Sequence, residues 1–150
     1  MKKLFVCSVL FLTACGGSQH ASFDSALVSY VANDKRETLT VKSTDIGENE
    51  NVALFNAKKL AFQNLFFRGI PNSPFNKPMI GINEKEKFKA NKAYLDTFFN
   101  QRMGTFITNS NESVSKVKGG RKMAKITLTI NMLALEKDLE EHNVIKKFGL

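Results

Sequence analysis

The sequence predicts an α+β fold over residues 26–150, a mainly antiparallel sheet of three to four strands with about three helices in the order β-β-α-α-β-β-α. Three observations predict it. Two short runs rich in Val, Leu and Thr flank the turn-forming Asn33-Asp34-Lys35-Arg36. Ala53, Ala57, Ala61 and Leu65 recur at every fourth residue, as one stripe of a helix does. Ala124, Ile126, Leu128 and Ile130 alternate with Lys125, Thr127 and Thr129, as in a strand with one buried and one wet face. Strands and helices that come in runs, without strict alternation, place helices on one face of an antiparallel sheet.

The elements follow in order. Ala26–Ala32 and Glu37–Ile46 read as a hairpin ended by Gly47. Asn51–Arg68 reads as a helix, with Glu48 and Glu50 at its positive end and Gly69 and Pro71 as its stop. Phe55, Phe62 and Phe66 widen its apolar face. Ile70–Asn83 holds Pro71, Pro74 and Pro78, and reads as an irregular loop longer than most connections. Glu84–Arg102 reads as a second helix, with Phe88, Leu95, Phe98 and Phe99 on one side. Thr105–Val117 and Lys122–Ile130 read as strands joined through Lys118-Gly119-Gly120-Arg121. Asn131 is placed to cap a third helix, Met132–His142, with Asn143 at its end and Val144, Ile145 and Phe148 docking after it.

The first twenty residues have a different character. Lys2 and Lys3 precede nine uncharged, mostly apolar residues, Leu4–Leu12. That run has the length of a signal-peptide core and is too short for a membrane-spanning helix. Leu12-Thr13-Ala14-Cys15 then resembles the bacterial lipobox, in which an aliphatic and two small residues precede an obligatory cysteine. The resemblance implies a signal peptide over residues 1–14 and a lipidated Cys15. Residues 15–25 read as the lipidated N-terminus and a flexible tether, small and polar from Gly16 on. Asp24-Ser25-Ala26 resembles a short site for O-glycans in envelope proteins. Gly16 stands where some bacteria place an inner-membrane retention aspartate, which points to the outer membrane, and the tether lacks an acidic export cluster, which points to its periplasmic side.

Removal of Met1–Ala14 leaves 136 of the 150 residues and lowers the formal charge from +8 to +6, since Lys2 and Lys3 leave. That length suits one domain with its own core. Cys7 leaves with the signal and Cys15 becomes a thioether, so no disulfide is expected and packing must supply the stability. Basic balance favours anionic neighbours, but Lys is scattered along the chain and alternates with acids, and no nucleic acid is expected as partner.

Segment 37–148 is also similar to small envelope lipoproteins of Gram-negative bacteria and to the N-terminal domain of flagellar assembly protein T. The residues that carry the likeness are Leu39–Thr44 running through Gly47 into Asn56–Ala61, then Phe67–Pro71, Tyr94–Phe99, and Leu135–Glu140 with Ile145–Gly149. The resemblance implies an envelope location and an assembly or scaffolding role. It supplies no catalytic residues.

Little in the sequence carries chemistry. The histidines are His20, in the tether, and His142, at a helix end, where a cation complements the dipole. No His-x-x-x-His, cysteine pair or calcium loop occurs, so no metal or other cofactor is expected. Gly-x-Ser-x-Gly and phosphate-binding glycine motifs are absent, and the chain reads as a non-enzyme. Two features remain. Lys116, Lys118, Arg121 and Lys122 gather at one hairpin, either to grip an anionic envelope ligand (lipid headgroup, lipopolysaccharide or another phosphate) or to keep a sheet edge soluble. Phe75 and Met79 sit in the proline-rich loop, either as a contact for an envelope protein partner or as a plug for the core. Phe66-Phe67 and Phe98-Phe99 are adjacent pairs on helices, which puts one of each at the core margin. The leading expectation is a membrane-anchored envelope lipoprotein acting as an assembly or interaction module. The rival is a binding module for an anionic ligand.

Overall fold

Strand β1 (Val28–Asp34) turns back into β2 (Thr38–Gly47) where Lys35 adopts a φ of 48° and the Glu37 N–H donates to the Asp34 carbonyl at 2.9 Å. The computed structural model describes residues 27–146. The expected signal peptide, Cys15, the tether with His20 and Ser25, and Phe148 lie outside the described residues. After β2 come α1 (Glu50–Phe67), α2 (Glu84–Ala90), α3 (Lys92–Thr97), β3 (Ile107–Lys116), β4 (Lys122–Asn131) and α4 (Met132–Glu141). The fold is α+β. Its sheet has four antiparallel strands in the order β1-β2-β4-β3. The two central strands pair along their whole length, from Thr38 opposite Asn131 to Gly47 opposite Lys122.

One face of the sheet buries Leu39, Val41 and Ser43 from β2 with Ala124, Ile126, Leu128 and Ile130 from β4. The other carries Thr40, Lys42, Lys125, Thr127 and Thr129, none of them buried. Helix α1 lies on the apolar face. Asn49 caps it, its Oδ1 accepting from the Val52 N–H at 3.0 Å. Ala53, Ala57 and Ala61 are fully buried, as their spacing predicts. With only methyl groups between them, helix and sheet come close. The Ser43 hydroxyl donates to the Ala57 carbonyl at 2.7 Å. A Cβ on Gly47 would stand 2.3 Å from the Ala53 nitrogen, so glycine is the residue that fits there.

The C-terminal half of α1 is buried on every side, from Leu60 through Phe67. A second layer covers the side turned away from the sheet. Beyond α3 the chain makes a wide π turn over Phe98–Arg102 and a 3-10 turn over Met103–Phe106. These place the Phe98 ring 5.3 Å from Phe62 and 5.1 Å from Phe66. A helix with a layer on both sides buries side chains all round, and here these include Gln63 and Asn64. That corrects the expectation for the adjacent pairs: Phe66, Phe67, Phe98 and Phe99 are all buried, and none marks a margin.

The continuous helix expected over Glu84–Arg102 is also corrected. It breaks at Asn91, whose N–H and side-chain amide both donate to the Lys87 carbonyl, at 3.1 and 2.9 Å. Asparagine competes for backbone partners in this way, and α2 buries no residue that would hold the axis straight. Helix α4 is capped as expected, Asn131 Oδ1 accepting from the Ala134 N–H at 3.0 Å. It buries Met132, Leu135 and Leu139 and ends near Asn143, whose φ is 56°. Val144 and Ile145 then pack against the core.

Candidate functional site

The basic hairpin is the turn between β3 and β4. Lys116 stands directly opposite Lys122 in the ladder, and the Val117 N–H donates to the Arg121 carbonyl at 3.0 Å. Gly119 and Gly120 complete the turn with φ of 83° and 79°, in the left-handed region that glycine enters without strain. Nothing lies within 4 Å of where their Cβ atoms would be, so the tip stands clear of the rest of the fold. Lys116, Lys118 and Arg121 are exposed and Lys122 is half-buried. Among the described residues none of the four takes part in an ion pair. Like charges directly opposite each other in a ladder destabilise it. The turn therefore holds four cations within seven residues without internal compensation. The structure thus brings the four sequence-predicted cations to one exposed tip.

Phe75 and Met79 are placed otherwise. Phe75 is 5% exposed and belongs to the core, and Met79 is half-buried against it. Of the two readings of Phe75 and Met79, a core plug or a partner contact, the burial of Phe75 and the half-burial of Met79 favour the plug. The cause lies in how the loop returns over the end of α1. Gly69, with φ of 78°, donates its N–H to the Asn64 carbonyl at 2.8 Å. The N–H groups of Met79 and Ile80 then donate to the free Leu65 and Phe66 carbonyls, at 3.2 and 2.9 Å. A loop bound to the helix end in this way carries Ile70, Phe75 and Ile80 into the core.

One polar constellation escapes sequence reasoning. Asp138 of α4 is buried, and both its carboxylate oxygens are engaged. Oδ2 accepts from the Tyr94 hydroxyl at 2.7 Å, and Oδ1 accepts from the Arg102 guanidinium. His142 Nδ1 lies 3.6 Å from Oδ1 and 2.8 Å from the Asp138 carbonyl oxygen, and its ring is 5.1 Å from that of Tyr94. The signal in the sequence is the position of Asp138, one residue before Leu139 on the side of α4 that also presents Leu135. An acid at such a place needs partners. The cluster ties α4 to the α3 segment through charge-assisted bonds. With its oxygens taken, the carboxylate is poorly placed as a general base, and the group is a clamp.

Burial, then the Asp138 hydrogen bond and charge, hold the Tyr94 phenol well above the usual tyrosine range. Its protonated form thus contributes stability that is complete below about pH 10, where the unfolded chain also keeps its proton. Above that pH the unfolded chain loses the proton first and the contribution falls. Urea midpoints for wild type and Tyr94→Phe, taken from pH 8 to pH 11, are expected to lie farthest apart at the low end and to converge at the high end. A constant separation would show that the half-buried phenol holds its proton no more tightly than in the unfolded chain.

Among the described residues no group of His, Cys, Asp or Glu side chains is arranged to hold a metal ion, and no helix is long and apolar enough to cross a membrane. Comparison with family models, curated proteins and solved structures finds no match.

Proposed function

We propose that the chain is a lipid-anchored protein of the bacterial envelope, held at Cys15, whose domain is a non-enzymatic assembly or interaction module. The observation that carries this is Leu12-Thr13-Ala14-Cys15 behind two lysines and nine mostly apolar residues. Each buried acyl methylene contributes about 0.8 kcal/mol, so two or three chains make a lasting anchor. The likeness of segment 37–148 to envelope lipoproteins and to the N-terminal domain of flagellar assembly protein T supports the same location and role. Gly16 supports the outer membrane, and the tether its periplasmic side. A second reading, a module for an anionic envelope ligand, is favoured by the uncompensated cations of residues 116–122. It gains weight because Phe75, one of the two residues expected as a partner contact, is buried.

Cys15→Ser is expected to abolish incorporation of a fatty-acid analogue in growing cells and to leave the unprocessed precursor. Equal labelling of wild type and variant would overturn the anchor.

A further inference from the structure

The strand register fixes which end of the sheet the anchor chain leaves from. Val28 begins β1 and pairs with Ser43, and Ser43 pairs in turn with Ile126. Four residues further along β2, Gly47 pairs with Lys122, the base of the basic hairpin. The chain that leads back to Cys15 therefore enters at the hairpin end. At about 3.3 Å per residue, the hairpin base stands only about 13 Å beyond Val28 along the strands. The thirteen residues from Cys15 to Val28 span up to about 45 Å, so a lipidated Cys15 leaves the tip free to touch the bilayer. The opposite end of the sheet holds the Asn33–Arg36 turn and the start of α4 at Met132, whose N–H donates to the Glu37 carbonyl. Phe75 lies there too, its ring under the Arg36 guanidinium.

We propose that the hairpin tip is the membrane-facing end of the domain, and that Lys116, Lys118, Arg121 and Lys122 dock on the anionic phospholipid headgroups of the bilayer that holds Cys15. The proposal rests on the lipidation of Cys15. Its logic is that of two weak signals acting together, an acyl anchor and a basic patch close to it. The anchor supplies a high local headgroup concentration, so each cation needs only a modest attraction. Asp45, opposite Ala124, lies short of the hairpin base, and Glu48 and Glu50 follow Gly47 at the same end of the sheet. Lys42 and Lys125, on the open face of the neighbouring strands, add charge of the same sign.

The chain has no tryptophan, so a single introduced one reports its own surroundings. The full acylated chain carrying Val117→Trp at the tip is reconstituted on phosphatidylethanolamine vesicles with and without phosphatidylglycerol. A second chain carries Ile82→Trp, at a residue 86% exposed in the long loop. The tip tryptophan is expected to shift to the blue and to be quenched by brominated lipid, several-fold more when phosphatidylglycerol is present. The loop tryptophan is expected to show neither effect. Raising salt from about 0.05 to 0.5 M should reverse the tip signal, because such contacts are screened. Neutralising the four cations to Gln should abolish it, while inorganic phosphate at millimolar level should leave it in place. Competition by free phosphate, or equal signals at tip and loop, or indifference to phosphatidylglycerol, would overturn the proposal. Mass spectrometry of the purified chain separates the two ideas. An unacylated Cys15 removes the anchor and this proposal with it, whereas an acylated chain with a silent tip removes the docking alone.

Discussion

Phe66→Ala is expected to destabilise the protein by about 3–5 kcal/mol, the range for removing a buried aromatic ring. The ring is fully buried and touches four others. Centroids lie 6.1 Å from Phe62, 6.2 Å from Phe67, 5.1 Å from Phe98 and 6.0 Å from Phe99. Tilted and edge-on pairs of this kind add to the burial of area. Two of these rings belong to α1 itself and two to the π turn packed over it, and all four are buried, so the cavity has little room to collapse. Phe55→Ala, on the same helix, is the control. Phe55 is 36% exposed, and its loss should cost no more than about 0.5 kcal/mol, as at ordinary surface sites. Urea unfolding monitored by far-UV circular dichroism reads both. Similar midpoints for the two variants would mean that the second layer does not close over α1.

The contrast between those two phenylalanines shows where sequence reading stops. Periods of two and four residues are local, and they place β2, β4, α1 and the caps at Asn131 and Gly69 within a residue or two. The side of α1 that meets the sheet was legible from the alanine stripe. The side that meets Phe98 and Phe99 was not, because that contact joins residues more than thirty positions apart through a π turn that no periodic pattern encodes. Phe55 reads as part of the same apolar face, yet it lies beyond the reach of the second layer. The same limit explains Asp138. Its helix was predicted, but its partners Tyr94 and Arg102 come from elements whose positions only the tertiary fold decides. The basic hairpin was legible because its four cations are neighbours in sequence. What the register added is its position at the end of the sheet from which β1 starts.

Phe75→Ala is expected to cost about 3–5 kcal/mol as well, and the result decides between the two readings that the loop sequence allows. A loop with Pro71, Pro74 and Pro78 is already restricted, so it suits a rigid contact surface and a rigid plug equally. Three observations favour the plug. The Phe75 ring is 5% exposed. The Phe75 carbonyl accepts from the Ile70 N–H at 2.8 Å, and its own N–H donates to the Ser73 hydroxyl at 3.0 Å, so the backbone is held from both sides. The Arg36 guanidinium lies 5.3 Å from the ring centroid and closes the outer face. That last contact is the small part: Arg36→Gln should cost only about 0.5–1 kcal/mol, the usual worth of a cation over a ring at an exposed site. Most of the loss must therefore come from the vacated volume. Phe75→Ser with Met79→Ser should exceed the single variant, because Met79 packs against the same core. If instead the double variant unfolds within about 0.5 kcal/mol of wild type, as surface changes do, the ring is not a plug and the loop returns as a surface for a partner.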